Sequence, residues 1–351
     1  MMLLERPHMS ERRSKGVHRS DATSPVAAWK EKEYLNGKTV DAGVVILRTS
    51  GCSHFHRGGC SMCGYNVESS CDVKPEDVTK QFVNGVQKLG QVDFLKVYTS
   101  GSFLDESEVG REPRETILKH CADRGIRLLF ESRPEYVNDE TLGNVVSIHD
   151  DIEIALGLES SNDNVLRYSI NKGFTFKDYE RAAGTAHSHG ADVRTYVLLK
   201  PPFLSESEAI ADSITTMRAA AKMSETLSLN PVNVQKGTLV EKLWRGWAYR
   251  SPWLWSVLEV IKASEGLSGK IVCDPTGGGK ERGAHNCGKC DDVIIDSLKS
   301  YSITQDASRL GWPECGCSDI WRSVLELEDY VMGSCDLQRF FRGRNWRSKM
   351  H

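Results

Sequence analysis

No run of apolar residues in this 351-residue chain reaches the length that a membrane-spanning helix requires, which argues against a helical span. An excess of charge of one sign is also missing: 45 Lys and Arg stand against 48 Asp and Glu, a net of −3. Contact with nucleic acid must therefore come from local patches rather than from a global field. The opening stretch, MMLLERPHMSERRSKGVHRSD, lacks the long hydrophobic segment and small-residue cleavage site of a secretory signal. A mobile basic extension over residues 1–40 and a cytoplasmic location are expected. There is no internal repeat and no low-complexity tract, so no repeat architecture enters. Without secretion, the eleven cysteines point away from a disulfide framework and toward metal or catalysis.

What is present is the composition of a folded protein with a sizeable core, 39% hydrophobic and 26% charged. Between residues 41 and 235, short runs rich in Val, Ile, Leu and Phe alternate with longer amphipathic ones. Strands are predicted at 44–50, 94–100, 126–132, 152–160, 193–200 and 227–234. Helix starts are marked by Pro75 followed by acids, by Asn138 as an N-cap, and by Ser205 with Glu208 in a capping box. Gly190 is placed to end another. Six β–α units in a row imply a parallel sheet with helices outside, either doubly wound or an incomplete barrel. From about residue 236 the character changes to clustered tryptophans, a glycine-rich loop and a second set of cysteines. A smaller module is expected over 236–351.

The segment GCSHFHRGGCSMCGYN carries Cys52, Cys60 and Cys63, with seven residues in the first gap and two in the second. It follows the first predicted strand and precedes the first helix, which places it at the carboxyl edge of a parallel sheet, where ligand sites gather. Gly51, Gly58, Gly59 and Gly64 let such a loop wrap closely around a bulky group. Two readings compete: zinc, with His54 or His56 as fourth ligand, or a [4Fe–4S] cluster with one iron left open. The position at a catalytic edge, ahead of five more β–α units, favours the cluster.

Further back, Cys287 and Cys290 form a CxxC and, after 24 residues, Cys315 and Cys317 form a CxC. Two close pairs suit a closed tetrahedral zinc, with a second iron–sulfur cluster as the rival. Cys273 and His285 lie nearby as substitutes. GGGK, at residues 277–280, is followed by Glu281 and lacks phosphate-loop spacing. Lys280 and Arg282 are instead candidates for an RNA backbone. The tail RFFRGRNWRSK interleaves basic and aromatic residues without an acid, a pattern suited to phosphates and unpaired bases. Trp244, Trp247, Trp253 and Trp255 are read as packing.

Three cysteines after strand one of a six-unit β/α region resemble the radical S-adenosylmethionine superfamily. Its commonest spacing is three residues then two, with an aromatic residue before the last cysteine; here the first gap is seven and Met62 takes that position. Seven segments together resemble more narrowly the archaeal radical enzymes of archaeosine synthesis, relatives of elongator-type radical enzymes, over residues 30–335. They are the cysteine segment, KVYTSGSFLDESEV, FESRPEYV, ALGLESSNDNVLR, LLKPPFLSESEAI, NPVNVQKGTLVEKLWRGWAYRSPWLWS and DPTGGGKERGAHNCGKCD.

The resemblance implies an α/β fold, a partial (β/α)6 TIM-like barrel over 41–235 with a C-terminal α+β metal-binding module. It implies a [4Fe–4S] cluster on Cys52, Cys60 and Cys63 whose open iron takes the amino and carboxylate groups of S-adenosylmethionine. Ser100, Gly101 and Ser102 would meet the cofactor's amino group and Glu159 and Ser160 its ribose. Arg167 would pair with its carboxylate, and Glu131 would face cofactor or substrate. The implied substrate is a lysine-bearing 7-deazaguanine in the tRNA D-loop, made by a lysine-transferring partner subunit. Hydrogen loss next to the linked nitrogen would permit C–N cleavage to archaeosine, and the electron would come from a ferredoxin or flavodoxin. The alternatives are another radical tRNA modification, such as carboxymethylation or methylthiolation, and a non-catalytic, zinc-stabilised RNA-binding protein.

Overall fold

The computed structural model describes residues 21–332. The basic–aromatic tail from Arg339 and the isolated Cys335 lie outside the described residues. The chain opens with a hairpin: β1 (Ala27–Leu35) pairs antiparallel with β2 (Lys38–Ile46) through Asn36 and Gly37, whose φ angles of +50° and +80° suit the tight turn that Asn-Gly favours. β1 is thus an ordered strand within the expected mobile extension. Next come α1 (Pro75–Leu89), β3 (Phe94–Tyr98), α2 (Arg111–Ala122), β4 (Arg127–Ser132), α3 (Asp139–Val146) and β5 (Ile152–Glu159). They are followed by α4 (Phe176–Ser188), β6 (Asp192–Leu199), α5 (Glu206–Ala220) and β7 (Thr226–Pro231). The expected start signals operate: Asn138 accepts the Thr141 amide at 3.0 Å, and Ser205 and Glu208 close a capping box.

The eight strands among the described residues form one sheet in sequence order, and every pair from β2 onward is parallel. A doubly wound sheet reverses its order at a switch point; this one never does. Successive right-handed crossovers in one direction put the helices on a single face, and right-handed twist curls the sheet into a partial barrel. The two edges approach across the concave side, where Lys270 Nζ donates to Tyr34 O at 2.9 Å. Lys270 belongs to β8 (Lys270–Val272), which pairs with β7 and carries the sheet beyond the expected boundary at 236. Between them lie α6 (Leu239–Arg245) and α7 (Leu254–Ala263); α8 (Asp291–Thr304) and α9 (Cys317–Met332) follow. Among the described residues no helix is long and apolar enough to cross a membrane.

Strand periodicity sorts the side chains. On β3, Leu95 and Val97 pack under the helices, while Phe94 and Lys96 face the interior with Leu129 and Ala155. The interior is plugged at its amino end by a buried charge network. Arg194 pairs with Glu153 at 3.0 Å and with Glu33 at 3.3 Å, while Glu33 also meets Lys96 and Lys270. Burial alone raises a carboxyl, but Arg194 and its neighbouring cations overcome it and hold Glu153 down near about 2. The plug closes one end, which leaves the carboxyl end as the open mouth.

Candidate active site and metal centres

The cysteine segment leaves β2 at this mouth and is clamped from two sides. Ser61 donates its amide to Ile170 O at 2.8 Å, and Asn171 Nδ2 donates to Gly59 O at 2.7 Å. Leu239, at the start of α6, donates its amide to Ser61 O at 3.0 Å, and the Gly64 amide donates to Gln235 Oε1 at 3.2 Å. The residues that hold the loop therefore come from the β5–α4 and β7–α6 connections. A π-helical turn at Val165–Ile170 delivers the first of these, an irregularity often found at functional sites.

Neither histidine completes a zinc site with the front cysteines. His54 Nε2 donates to Asn171 O at 2.7 Å, and its ring packs so tightly on Gly173 that a Cβ there would lie 2.6 Å from Cε1. His56 is exposed. Among the described residues, the one His, Cys, Asp or Glu group whose ligand atoms all lie within 4.8 Å of one another is the rear set. The front three do not form such a group, as a tetrahedral zinc with bonds of about 2.3 Å and sulfur edges of roughly 3.8 Å would require. A cubane, whose irons occupy separate corners, does not require its thiolates to lie that close together. Without metal, burial pushes the Cys60 thiol up, against the pull of Lys172, and pushes Cys63 up to about 12. Any metal or cluster taken by these thiols would have to displace their protons.

Around the loop the strand ends supply polar groups. After β3, Glu108 accepts the amides of Ser100, Gly101 and Ser102 at 3.0, 2.9 and 2.6 Å. With its N–H groups turned to Glu108 and Ser102 O taken by the Asp105 amide at 3.2 Å, this turn offers the Ser100 and Gly101 carbonyl oxygens to an ammonium group. Gly101 is required there: a Cβ would stand 2.6 Å from that of Cys52. Glu131, ending β4, has its carboxyl raised to about 7 by burial, with Glu108 and Glu159 adding to the shift. Glu159, ending β5, sits in a left-handed backbone at φ +72° and bonds Lys172 Nζ at 2.8 Å.

Two of the expected cofactor contacts engage other groups of the chain. Ser160 is fully buried and its hydroxyl donates to Asp212 Oδ1 on α5 at 2.9 Å, so it is committed to the helical layer. Arg167 is exposed on the π-turn, over the Tyr168 ring at 5.1 Å. The residues that sequence reasoning missed are Glu108, Lys172, Asn171 and Gln235. Glu108 and Gln235 lie inside quoted segments, KVYTSGSFLDESEV and NPVNVQKGTLVEKLWRGWAYRSPWLWS, but nothing in the chain marked their roles. On the outer side of the loop, facing α4, a cavity of about 420 Å³ is lined by His54, Arg57, Arg133, Glu135, Phe174 and Arg181.

The rear cysteines come together as their spacing predicted. Cys287 and Cys315 lie 3.5 Å apart, Cys290 and Cys317 3.6 Å, and Cys315 and Cys317 3.4 Å, close to a tetrahedral zinc's edge lengths. Asn286 Nδ2 donates to Cys290 Sγ and Trp255 Nε1 to Cys317 Sγ, both at 3.3 Å, outer contacts that orient thiolates. Cys290 is the N-cap of α8 and Cys317 begins α9, so one ion would staple both helices beside the barrel. Cys273 is not in the group, and His285 is bonded to Gly283 O at 2.9 Å. The Arg282 guanidinium, expected on RNA, is taken up by Glu241 at 2.8 Å and Val234 O at 2.9 Å.

No protein-family model matches the chain. Among curated proteins it is 41% identical over 329 residues to the archaeosine synthase subunit beta of Methanosarcina acetivorans, covering 91% of this chain and 94% of that one. It is 38% identical over 310 residues to the protein of the same name from Thermococcus kodakarensis, covering 85% and 96%. Among solved structures it is similar to an N-terminally truncated Elp3 of Methanocaldococcus infernus, at 14% identity and a TM-score of 0.46, over 66% of this chain and 56% of that one. The chain belongs to the archaeosine synthase subunit beta family.

Proposed function

We propose that this chain is a radical S-adenosylmethionine enzyme that completes archaeosine in tRNA by cleaving the C–N bond of a lysine-bearing 7-deazaguanine. The observation that carries this reading is the near full-length kinship with archaeosine synthase beta subunits. A three-cysteine loop set at the barrel mouth supports it. Cys52, Cys60 and Cys63 would hold the cluster. When bound, a [4Fe–4S] cluster with an open iron supplies the electron that splits S-adenosylmethionine into methionine and a 5′-deoxyadenosyl radical.

The chain's own residues then position and shield. Carbonyl groups of the 100–102 turn suit the cofactor's ammonium, and Glu131 and Glu159 suit hydroxyl donors deeper in the mouth. Lys172, ion-paired with Glu159, sets its ammonium group beside the cysteine loop. The charge plug keeps the amino end of the barrel shut, so solvent enters only from the mouth. The rear cysteines would hold zinc as a structural staple. A lysine-transferring partner and a low-potential donor such as ferredoxin or flavodoxin complete the reaction.

The test is anaerobic incubation of the reconstituted, reduced protein with lysine-modified tRNA, followed by mass analysis of its nucleosides. Archaeosine with one 5′-deoxyadenosine per turnover is expected. Cofactor cleavage with an unchanged nucleoside would reject the C–N step, and no cleavage at all would reject the radical reading.

A further inference from the structure

Trp247 is 96% exposed, the barest of the large hydrophobic side chains among the described residues. Its exposure is not general to the tryptophan group, since Trp253 and Trp255 are buried and Trp244 lies under the Arg282 guanidinium at 4.7 Å. The reading of all four as packing is thus corrected at this position. The backbone makes the exposure costlier still. Where α6 ends, the Trp247 amide donates to Trp244 O at 3.1 Å and the Ala248 amide to Leu243 O at 2.9 Å. Helices that close this way put a left-handed residue in the turn, and glycine is the usual choice. Here that residue is Trp247, at φ +58°, while the glycine next to it, Gly246, sits at φ −89°. A bulky side chain held in a disfavoured conformation with no packing in return marks a functional constraint.

Its position says which one. Leu239 and Val240 of α6 both bond Ser61 O, between Cys60 and Cys63. A seven-residue helix is about 10 Å long, so the indole stands roughly one helix length from the proposed cluster loop. Lys242 and Arg245 on the same helix, and Lys236 just ahead of it, are exposed. The one acid of α6, Glu241, is occupied by Arg282 at 2.8 Å and Arg245 at 3.0 Å. No other large hydrophobic residue between 236 and 253 is exposed, so along this segment the ring stands among basic side chains rather than in an apolar run.

From this geometry we propose that Trp247 is a stacking platform for an unpaired tRNA base beside the reacting nucleotide, with Lys236, Lys242 and Arg245 meeting phosphates. The inference rests on the tRNA-modifying reading and adds to it a specific contact. An indole face accepts any base, and basic side chains around it track the backbone. The left-handed turn swings the ring clear of its own helix, which keeps that face bare.

The test uses the full-length protein and a fluorescently labelled tRNA transcript, read by anisotropy. W247A and W247G are expected to weaken binding about tenfold, and W247F to stay within about threefold of wild type. W247G also relieves the left-handed backbone, so its Tm should hold or rise, which separates lost stacking from lost folding. Cleavage of S-adenosylmethionine without tRNA should not change. Equal tRNA affinity of W247A and wild type would sink this proposal alone. Unchanged tRNA binding with weakened capture of the lysine-transferring subunit would also overturn it, in favour of a protein contact. Failure of the wild type itself to bind tRNA would remove the tRNA-modifying reading as well.

Discussion

Glu108 Oε1 accepts the Gly101 amide at 2.9 Å, and the same carboxylate accepts the Thr49 hydroxyl at 2.9 Å two residues before Gly51. One buried acid thus joins the turn after β3 to the root of the cysteine loop after β2. Its carboxyl is raised by burial, against the pull of the Ser102 and Thr49 hydrogen bonds.

The Gly101→Ala variant should show how close that approach is. Its methyl group would overlap both Cα and Cβ of Cys52, at 2.7 and 2.6 Å. Overpacking of this kind costs about 1–3 kcal/mol, and here it displaces a cysteine. Iron retained per chain after anaerobic reconstitution is expected to fall severalfold, with circular dichroism unchanged. Full iron loading would show that the loop yields without cost.

The two cysteine sets should separate by metal. Serine at Cys52, Cys60 or Cys63 is expected to abolish iron binding and cofactor cleavage while zinc content stays near one per chain. Serine at Cys290 or Cys317 should lose the zinc, retain iron and lower Tm by several degrees, because the staple between α8 and α9 is gone. Elemental analysis of both sets reads this directly; iron lost from the rear variants would point to a second cluster.

Asp212 gives a pH signature. Burial raises its carboxyl to about 6 from an ordinary 3.8, opposed by the Ser160 hydroxyl, and its second oxygen has no partner. A raised acid binds its proton more tightly in the folded state, so its contribution to stability declines as pH rises from about 4 through 6. Asp212→Asn keeps an acceptor for Ser160 and removes the ionisation. The variant should match wild type below pH 4 and exceed it above pH 6, by at most about 3 kcal/mol. Chemical denaturation across that range is the measurement; a constant difference would rule the effect out.

The barrel plug depends on pairing. Glu153→Ala leaves Arg194 buried without its nearest carboxylate, and breaking such a pair costs about 3–5 kcal/mol. Reduced expression or a much lower urea midpoint is expected, while replacing the exposed Asp41 partner of Lys32 should change little.

Much of the layered architecture was legible because strands and helices carry their periods in the chain. Val44, Phe94, Leu128, Ile152, Val193 and Leu227 all lie in strands where predicted. β1 and β8 were not legible. β1 alternates exposed charge with inward Glu33, so its apolar signal is weak, and β8 has only three residues. At the site, the cysteines were visible by type and spacing. Asn171, Lys172 and Gln235 were not, since each acts on a loop more than a hundred residues away.

The order of apolar runs, cap residues and closely spaced cysteines by itself determined that there would be β–α units and two thiol-rich stations, because those depend on neighbours along the chain. Which way the sheet wound, which cysteines would lie close enough for one ion, that Ser160 would turn to Asp212, and that one tryptophan of four would stand in solvent were decided by tertiary structure. Each depends on what distant segments place opposite a residue, and burial, pairing and close approach exist only once the barrel has curled.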